Sequence, residues 1–132
     1  MKFKNILIFV VDDDDACAKL CYYYLKRNGY NNVKVFSNEK ECLECLTLHP
    51  NILIADYLLR DGKGNCLIRK AKNICPDLTC FLMSSYRYEE LIDKKVSLAF
   101  VDSYIKKGPA SMQELMNCMA NTSQLKLVIQ NN

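Results

Sequence analysis

The chain has 132 residues and a formal net charge of +3, with half of its residues apolar and a quarter charged. That is one domain's worth with apolar material for a full core, and it excludes disorder, collagen and low complexity. The charge and a pI near 8.4 are too mild for direct nucleic-acid binding, which favours a basic stripe and a pI above ~9. The longest apolar run, Ile6 to Val11, is far short of the ~20 residues of a membrane span.

Lys2 and Lys4 precede an apolar stretch that runs straight into four consecutive acids. This is no signal peptide, so the eight cysteines read as free thiols in a reducing, cytoplasmic compartment. Short apolar runs then alternate with amphipathic stretches. The runs are Ile6 to Val11, Val33 to Phe36, Ile52 to Ala55, Cys80 to Met83 and Ala99 to Val101. Continuous apolarity without two-residue alternation predicts strands buried on both faces, as in a parallel sheet.

The first helix carries a stripe of Cys17, Leu20, Cys21, Tyr24 and Leu25 at helical spacing and ends at Asn28-Gly29. Asn38 followed by Glu41 caps a second. Leu67, Ile68, Ala71 and Cys75 stripe a third, after the Gly-rich turn Asp61 to Gly64. Residues 87–96 form a weaker fourth. Ser111 with Glu114 caps a fifth, striped by Met112, Leu115, Met116 and Met119. Five strands alternating with five helices predict an α/β fold, (βα)5, with helices on both faces of the sheet. Residues 1–122 are assigned to this domain and 123–132 to a C-terminal tail, whose Leu125, Leu127 and Ile129 suit a peripheral strand or an arm.

In such sheets ligands sit beyond the carboxyl ends of the strands. Those ends carry Asp12 and Asp13, Asp56, Ser84 and Ser85, and Lys106 and Lys107. Clustered carboxylates with waters suit Mg²⁺ and without a cation repel. With the metal neutralising them, one carboxylate is free to attack phosphorus, while a hydroxyl and an ammonium hold the phosphoryl oxygens. Ser84 is preferred because it directly follows the strand, and Lys107 because it faces inward after Tyr104-Ile105; Lys106 competes for the same role.

Together these residues resemble the receiver domain of two-component response regulators, the flavodoxin-like phospho-acceptor module, from residue 4 to about residue 120. The motifs are Ile8 to Asp13, Pro50 to Leu59, Asp61 to Gly64, Met83 to Tyr86 and Asp102 to Lys107. The resemblance implies a five-stranded parallel sheet in the order 2-1-3-4-5. It implies that Asp56 is the phospho-acceptor, charged by a phosphohistidine of a sensor histidine kinase or a phosphotransfer protein. Mg²⁺ would be held by Asp13 and Asp56, by Asp12 through water, and by the backbone carbonyl of Leu58. Ser84 is the switch hydroxyl and Lys107 the phosphoryl-pairing lysine. Tyr104 is the switch aromatic, altering the face of the fourth helix, fifth strand and fifth helix that meets a downstream protein target. The protein would be a signalling phospho-acceptor rather than an enzyme, monomeric or dimerising on phosphorylation. Ending soon after the receiver, the chain would act by docking or be a fragment of a longer regulator.

Departures from the family pattern are Lys107-Gly108 where receivers carry Lys-Pro with a cis peptide, Arg60 in place of a proline, and the extra acids Asp14 and Asp15. A cis bond before a non-proline residue costs ~2.5–4 kcal/mol. Asp14 and Asp15 either strengthen a cation site or occupy a helix N-terminus, where the dipole favours acids. Leu58 and Tyr86, two residues past Asp56 and Ser84, would flank the water route to the phosphorus and predict slow self-dephosphorylation. Cys42 and Cys45 form a Cys-x-x-Cys without a partner pair and read as helix core. Tyr24 is expected to face the core and His49 the surface. Two other functions compete: a degenerate receiver that only binds partners, and a Mg²⁺-dependent phosphohydrolase with an aspartate nucleophile, whose Asp-x-Asp motif and cap domain fit this chain poorly. Dinucleotide binding lacks its Gly-x-Gly-x-x-Gly.

Overall fold

A computed structural model describes residues 5–122; the expected tail, 123–132, lies outside the described residues. The chain runs β1 (Leu7–Val11), α1 (Asp15–Arg27), β2 (Asn32–Phe36), α2 (Glu39–Glu44), a 3-10 turn (Leu46–Leu48), β3 (Ile52–Asp56), β4 (Leu58–Leu59), β5 (Gly62–Lys63), α3 (Gly64–Ile74), β6 (Thr79–Ser84), α4 (Tyr88–Asp93), β7 (Ser103–Lys106) and α5 (Ser111–Ala120). The main sheet is parallel in the order β2-β1-β3-β6-β7, which is 2-1-3-4-5 when its five strands are counted alone. β4 and β5 form a separate antiparallel pair.

The pleat sends alternate residues to opposite faces, and two cores result. Phe9, Val11, Leu53, Ala55, Cys80 and Leu82 pack with α2, α3 and Leu91 of α4. Ile8, Val10, Ile52, Ile54, Phe81 and Met83 pack with α1 and α5 through Cys21, Leu25, Met112, Leu115 and Met119. Strands covered on both faces read as continuous apolar runs because both sets are buried, and this holds for β1, β3 and β6.

The edges depart from that expectation. β2 is mostly exposed. The fifth strand is not Ala99 to Val101 but Ser103–Lys106; Phe100 is exposed. An edge strand needs no continuous apolar run, and Asp102 sets the register instead. Its carboxylate accepts the Cys80 amide at 2.7 Å and pairs with Lys72 at 2.8 Å, while its amide donates to the Cys80 carbonyl.

In α1 the core face is Ala18, Cys21 and Leu25. Leu20 and Tyr24, both expected inside, are 48% and 38% exposed, because no further layer covers that flank of the helix. α5 begins after Ala110, so Ser111 is not its cap; the Ser111 hydroxyl donates to the Gly108 carbonyl at 2.8 Å. α4 is shorter than expected, Tyr88–Asp93, and starts where Glu90 accepts the Arg87 amide at 3.0 Å. Asn38 caps α2 by accepting the Glu41 amide at 2.9 Å. Cys42 is buried and Cys45 half-buried at the end of that helix. His49 is exposed, with a left-handed backbone (φ 56) that turns the chain toward β3. No peptide bond among the described residues is cis, so Lys107-Gly108 is trans.

Candidate metal and phosphoryl site

β1 and β3 are neighbours in register, and both end on the same rim. That register carries Asp12 and Asp13 off β1 to the side of Asp56, the last residue of β3. One carboxylate oxygen from each of the three can be chosen so that all lie within 4.8 Å of one another. β7 pairs with β6 so that Ser84 lies opposite Lys106, and the next residue, Lys107, turns inward. Its ammonium lies 2.9 Å from Asp56 Oδ1 and 3.1 Å from Asp12 Oδ2. Of the two competing lysines, Lys107 joins the cluster and Lys106 is exposed.

The electrostatics follow from crowding and burial. Burial pushes the Asp56 carboxyl above its usual range, with Asp12 and Asp13 adding to the rise and the hydrogen bond and charge of Lys107 opposing it. Burial also acts against the Lys107 charge, but Asp56 and Asp12 outweigh it and raise the lysine's pKa. Three carboxylates against one ammonium leave the cluster short of positive charge. An all-oxygen donor set of this kind, half open to solvent, fits a hard divalent cation that keeps several waters.

Asp14 is the α1 cap, its carboxylate accepting the Ala16 and Cys17 amides at 2.9 and 3.2 Å. Its own amide donates to Asp12 Oδ1 at 2.9 Å, which orients Asp12 from behind. The helix-terminus reading of the four-acid run therefore holds for Asp14, and Asp15 sits exposed in the first turn.

Ser84 is the last residue of β6, buried, and its hydroxyl accepts the Tyr86 amide at 3.1 Å. The Tyr104 hydroxyl donates to the Tyr86 carbonyl, and its ring stands 5.9 Å from that of Tyr88. Burial raises the Tyr104 pKa, with a hydrogen bond to Ser84 acting the other way. Tyr86 thus holds both expected switch side chains. Leu58 lies in β4 and is 45% exposed.

Two supporting residues were not singled out from the sequence. A Cβ on Gly64 would collide with the Asp56 carbonyl and lie 2.8 Å from Leu82 Cδ1, so only glycine lets α3 begin against the back of Asp56. The Asp61 carboxylate accepts the Glu39 and Lys40 amides at 2.9 and 3.2 Å, tying the loop after β3 to the start of α2. Their signal was the Asp-Gly-x-Gly string itself, which reads as a turn until the partners are known.

The doubly wound sheet with an acid cluster and a lysine on its carboxyl rim defines a class of phospho-acceptor signalling modules. The family model of the response regulator receiver domain matches residues 8–120, and the chain belongs to that family. Among similar proteins, response regulator SaeR of Staphylococcus epidermidis is 28% identical over 109 residues, 83% of this chain and 46% of that protein. The alkaline phosphatase synthesis transcriptional regulatory protein PhoP of Bacillus subtilis is 31% identical over 115 residues, 84% of this chain and 45% of its own. A cyclic di-GMP phosphodiesterase of Thermotoga maritima is 29% identical over 82% of this chain and 28% of its own. The chain spans less than half the length of each of these relatives. A CheY-like receiver domain from Methanospirillum hungatei superposes with a TM-score of 0.78 at 26% identity, covering 96% of this chain and 98% of that one. The response regulator TrrA of Thermotoga maritima, solved in complex with Mg²⁺-BeF, matches the fold with a TM-score of 0.75 at 21% identity, over 86% of this chain and 96% of that one. No helix among the described residues is long and apolar enough to cross a membrane.

Proposed function

We propose that this receiver domain accepts a phosphoryl group on Asp56 from a phosphohistidine of a sensor histidine kinase or a phosphotransfer protein. Asp56 Oδ attacks phosphorus, the P–N bond breaks, and the histidine ring leaves with the electron pair and takes up a proton. The observation that carries this reading is the Lys107 ammonium 2.9 Å from Asp56 Oδ1, inside a cluster of three carboxylates. Asp12, Asp13, Asp56 and the Leu58 carbonyl would hold Mg²⁺. When bound, the cation supplies charge neutralisation for the carboxylates and the incoming phosphoryl oxygens. Lys107 is already beside the Asp56 carboxylate and would exchange a carboxylate for a phosphoryl partner. Such transfers ask a protein mainly for positioning and charge.

Ser84 exchanges the Tyr86 amide for a phosphoryl oxygen. That frees one of the two Tyr86 backbone groups that Ser84 and Tyr104 hold, and so links Asp56 to the face of α4, β7 and α5. That face would meet the downstream protein target or a second copy of the chain. The protein then acts in the cytoplasm as a switch, with no reaction on free substrates beyond its own phosphorylation and dephosphorylation.

The test is intact-mass spectrometry after incubation with acetyl phosphate and Mg²⁺. One phosphoryl adduct is expected on the wild type, none on Asp56→Asn and none in excess chelator. An unmodified wild type that still binds a partner would instead make the domain a pure interaction module, and repeated turnover of free phosphate esters would make it a phosphohydrolase.

A further inference from the structure

A cavity of about 160 Å³ lies between α1, α5 and the sheet, directly beneath the carboxylate rim. Its walls are Val10, Leu20, Cys21, Ile54, Met83 and Met112, which come from four different elements and the strand that carries Asp56. Leu20 is half exposed and marks the mouth, while Val10, Cys21, Ile54, Met83 and Met112 are buried. The polar end is formed by Asp12, Asp56, Lys107 and Ser111.

Two physical facts decide what such a space takes. Water needs two to four polar partners, which the apolar walls do not offer, and an apolar space of roughly 150 Å³ is large enough for a benzene-sized guest. The polar end, moreover, is already engaged in part. Lys107 pairs with Asp12 and Asp56, the second Asp12 oxygen accepts the Asp14 amide, and Ser111 donates to Gly108. A carboxylate guest would face the excess negative charge of Asp12 and Asp56, and an ammonium guest seated among the apolar walls would meet carboxylates that already hold Lys107. Either would give up water for a partner already engaged.

We propose that this cavity is a binding site for a small neutral organic molecule, one aromatic ring or its aliphatic equivalent bearing at most a hydroxyl. The ring occupies the Val10–Ile54–Met83–Met112 interior and the hydroxyl points to the rim. The flexible Met83 and Met112 side chains and the small Cys21 adapt to the guest's shape.

The test uses the full chain without Mg²⁺ or phosphoryl donor, so that it stands whether or not Asp56 accepts phosphate. Methionine-methyl NMR is followed during titration with phenol, and in parallel with benzoate and benzylamine. Saturable shifts of the Met83 and Met112 methyls are expected with phenol, with Met119, away from the cavity, unmoved. Leu20→Trp plugs the mouth at an exposed position, and Cys21→Leu fills the interior. Each should raise the apparent dissociation constant for phenol at least about tenfold. Should Cys21→Leu fail to fold, the Leu20→Trp measurement carries the same decision. Shifts that do not saturate, binding that persists unchanged in the folded filled variants, or benzoate or benzylamine binding as tightly as phenol would overturn the proposal.

Discussion

At the scale of single residues the site is a balance of charge. Asp12, Asp13 and Asp56 bring three carboxylates within 4.8 Å and Lys107 offsets only part of them. Asp13→Asn should therefore stabilise the metal-free domain by on the order of 1 kcal/mol, the scale of a partly exposed charge pair. It should also abolish the rise in melting temperature expected when Mg²⁺ binds only the folded wild type. Thermal melts with and without Mg²⁺ read both effects, and an Asp13→Asn variant that keeps the full Mg²⁺ response would refute the ligand assignment. On the proposed function, Leu58 and Tyr86 would set the lifetime of the phosphorylated form. Leu58 offers no polar group to orient an attacking water. The Tyr86 ring is held edge-on to Tyr57 at 6.1 Å and covered by the Lys94 ammonium at 5.2 Å. The phosphoform should decay over minutes or longer in Mg²⁺ buffer, and Tyr86→Ala should shorten that lifetime; decay of the wild type within seconds, followed by mass spectrometry, would contradict this.

The elements position these residues through backbone rather than side-chain contacts. α3 starts against the Asp56 carbonyl only because Gly64 lacks a Cβ. Gly64→Ala should cost about 1–3 kcal/mol in urea unfolding, the usual cost of forcing extra volume into a packed site, and should displace Asp56 enough to slow its modification. α2 starts on the carboxylate of Asp61, whose bonds to the Glu39 and Lys40 amides hold it below its usual range. A depressed carboxyl contributes stability in full above its unfolded pKa, near 3.8, and loses it as pH falls toward the lower folded value. Hydrogen exchange at the Glu39 and Lys40 amides should accelerate selectively over that acid window. Asp61→Ala should produce the same local opening at neutral pH, at about 1 kcal/mol.

For the molecule as a whole, the two-sided burial of the sheet decides what the eight cysteines do. All are free, and Cys21, Cys42 and Cys80 sit inside the two cores. Burial pushes each of these three thiols up to about 12, and the thiolate is the reactive form. In mildly alkaline buffer a thiol reagent should leave Cys21, Cys42 and Cys80 unlabelled in the native protein and reach all eight cysteines in denaturant. Peptide mapping identifies the positions, and native labelling of Cys42 or Cys80 would count against the packing of α2 and β6. Of the Cys42-x-x-Cys45 pair, Cys42 lies in the core and Cys45 packs against it.

The amino-acid sequence by itself determined the class of fold and pointed to the residues that gather on one rim. Apolar runs ending in Asp12, Asp56 and Ser84 place those residues on one rim once the strands are parallel, and hydrophobic burial on both faces makes them so. Local patterns failed where burial is one-sided. The β7 edge strand carries no apolar run, and the outer flank of α1 leaves Leu20 and Tyr24 uncovered. Only the tertiary structure decided which lysine reaches Asp56, that Asp14 serves the helix while Asp13 faces the cluster, that Gly64 lies against the back of Asp56, and that Asp61 ties the following loop to α2. These depend on distances between segments far apart in the chain, which no local spacing encodes.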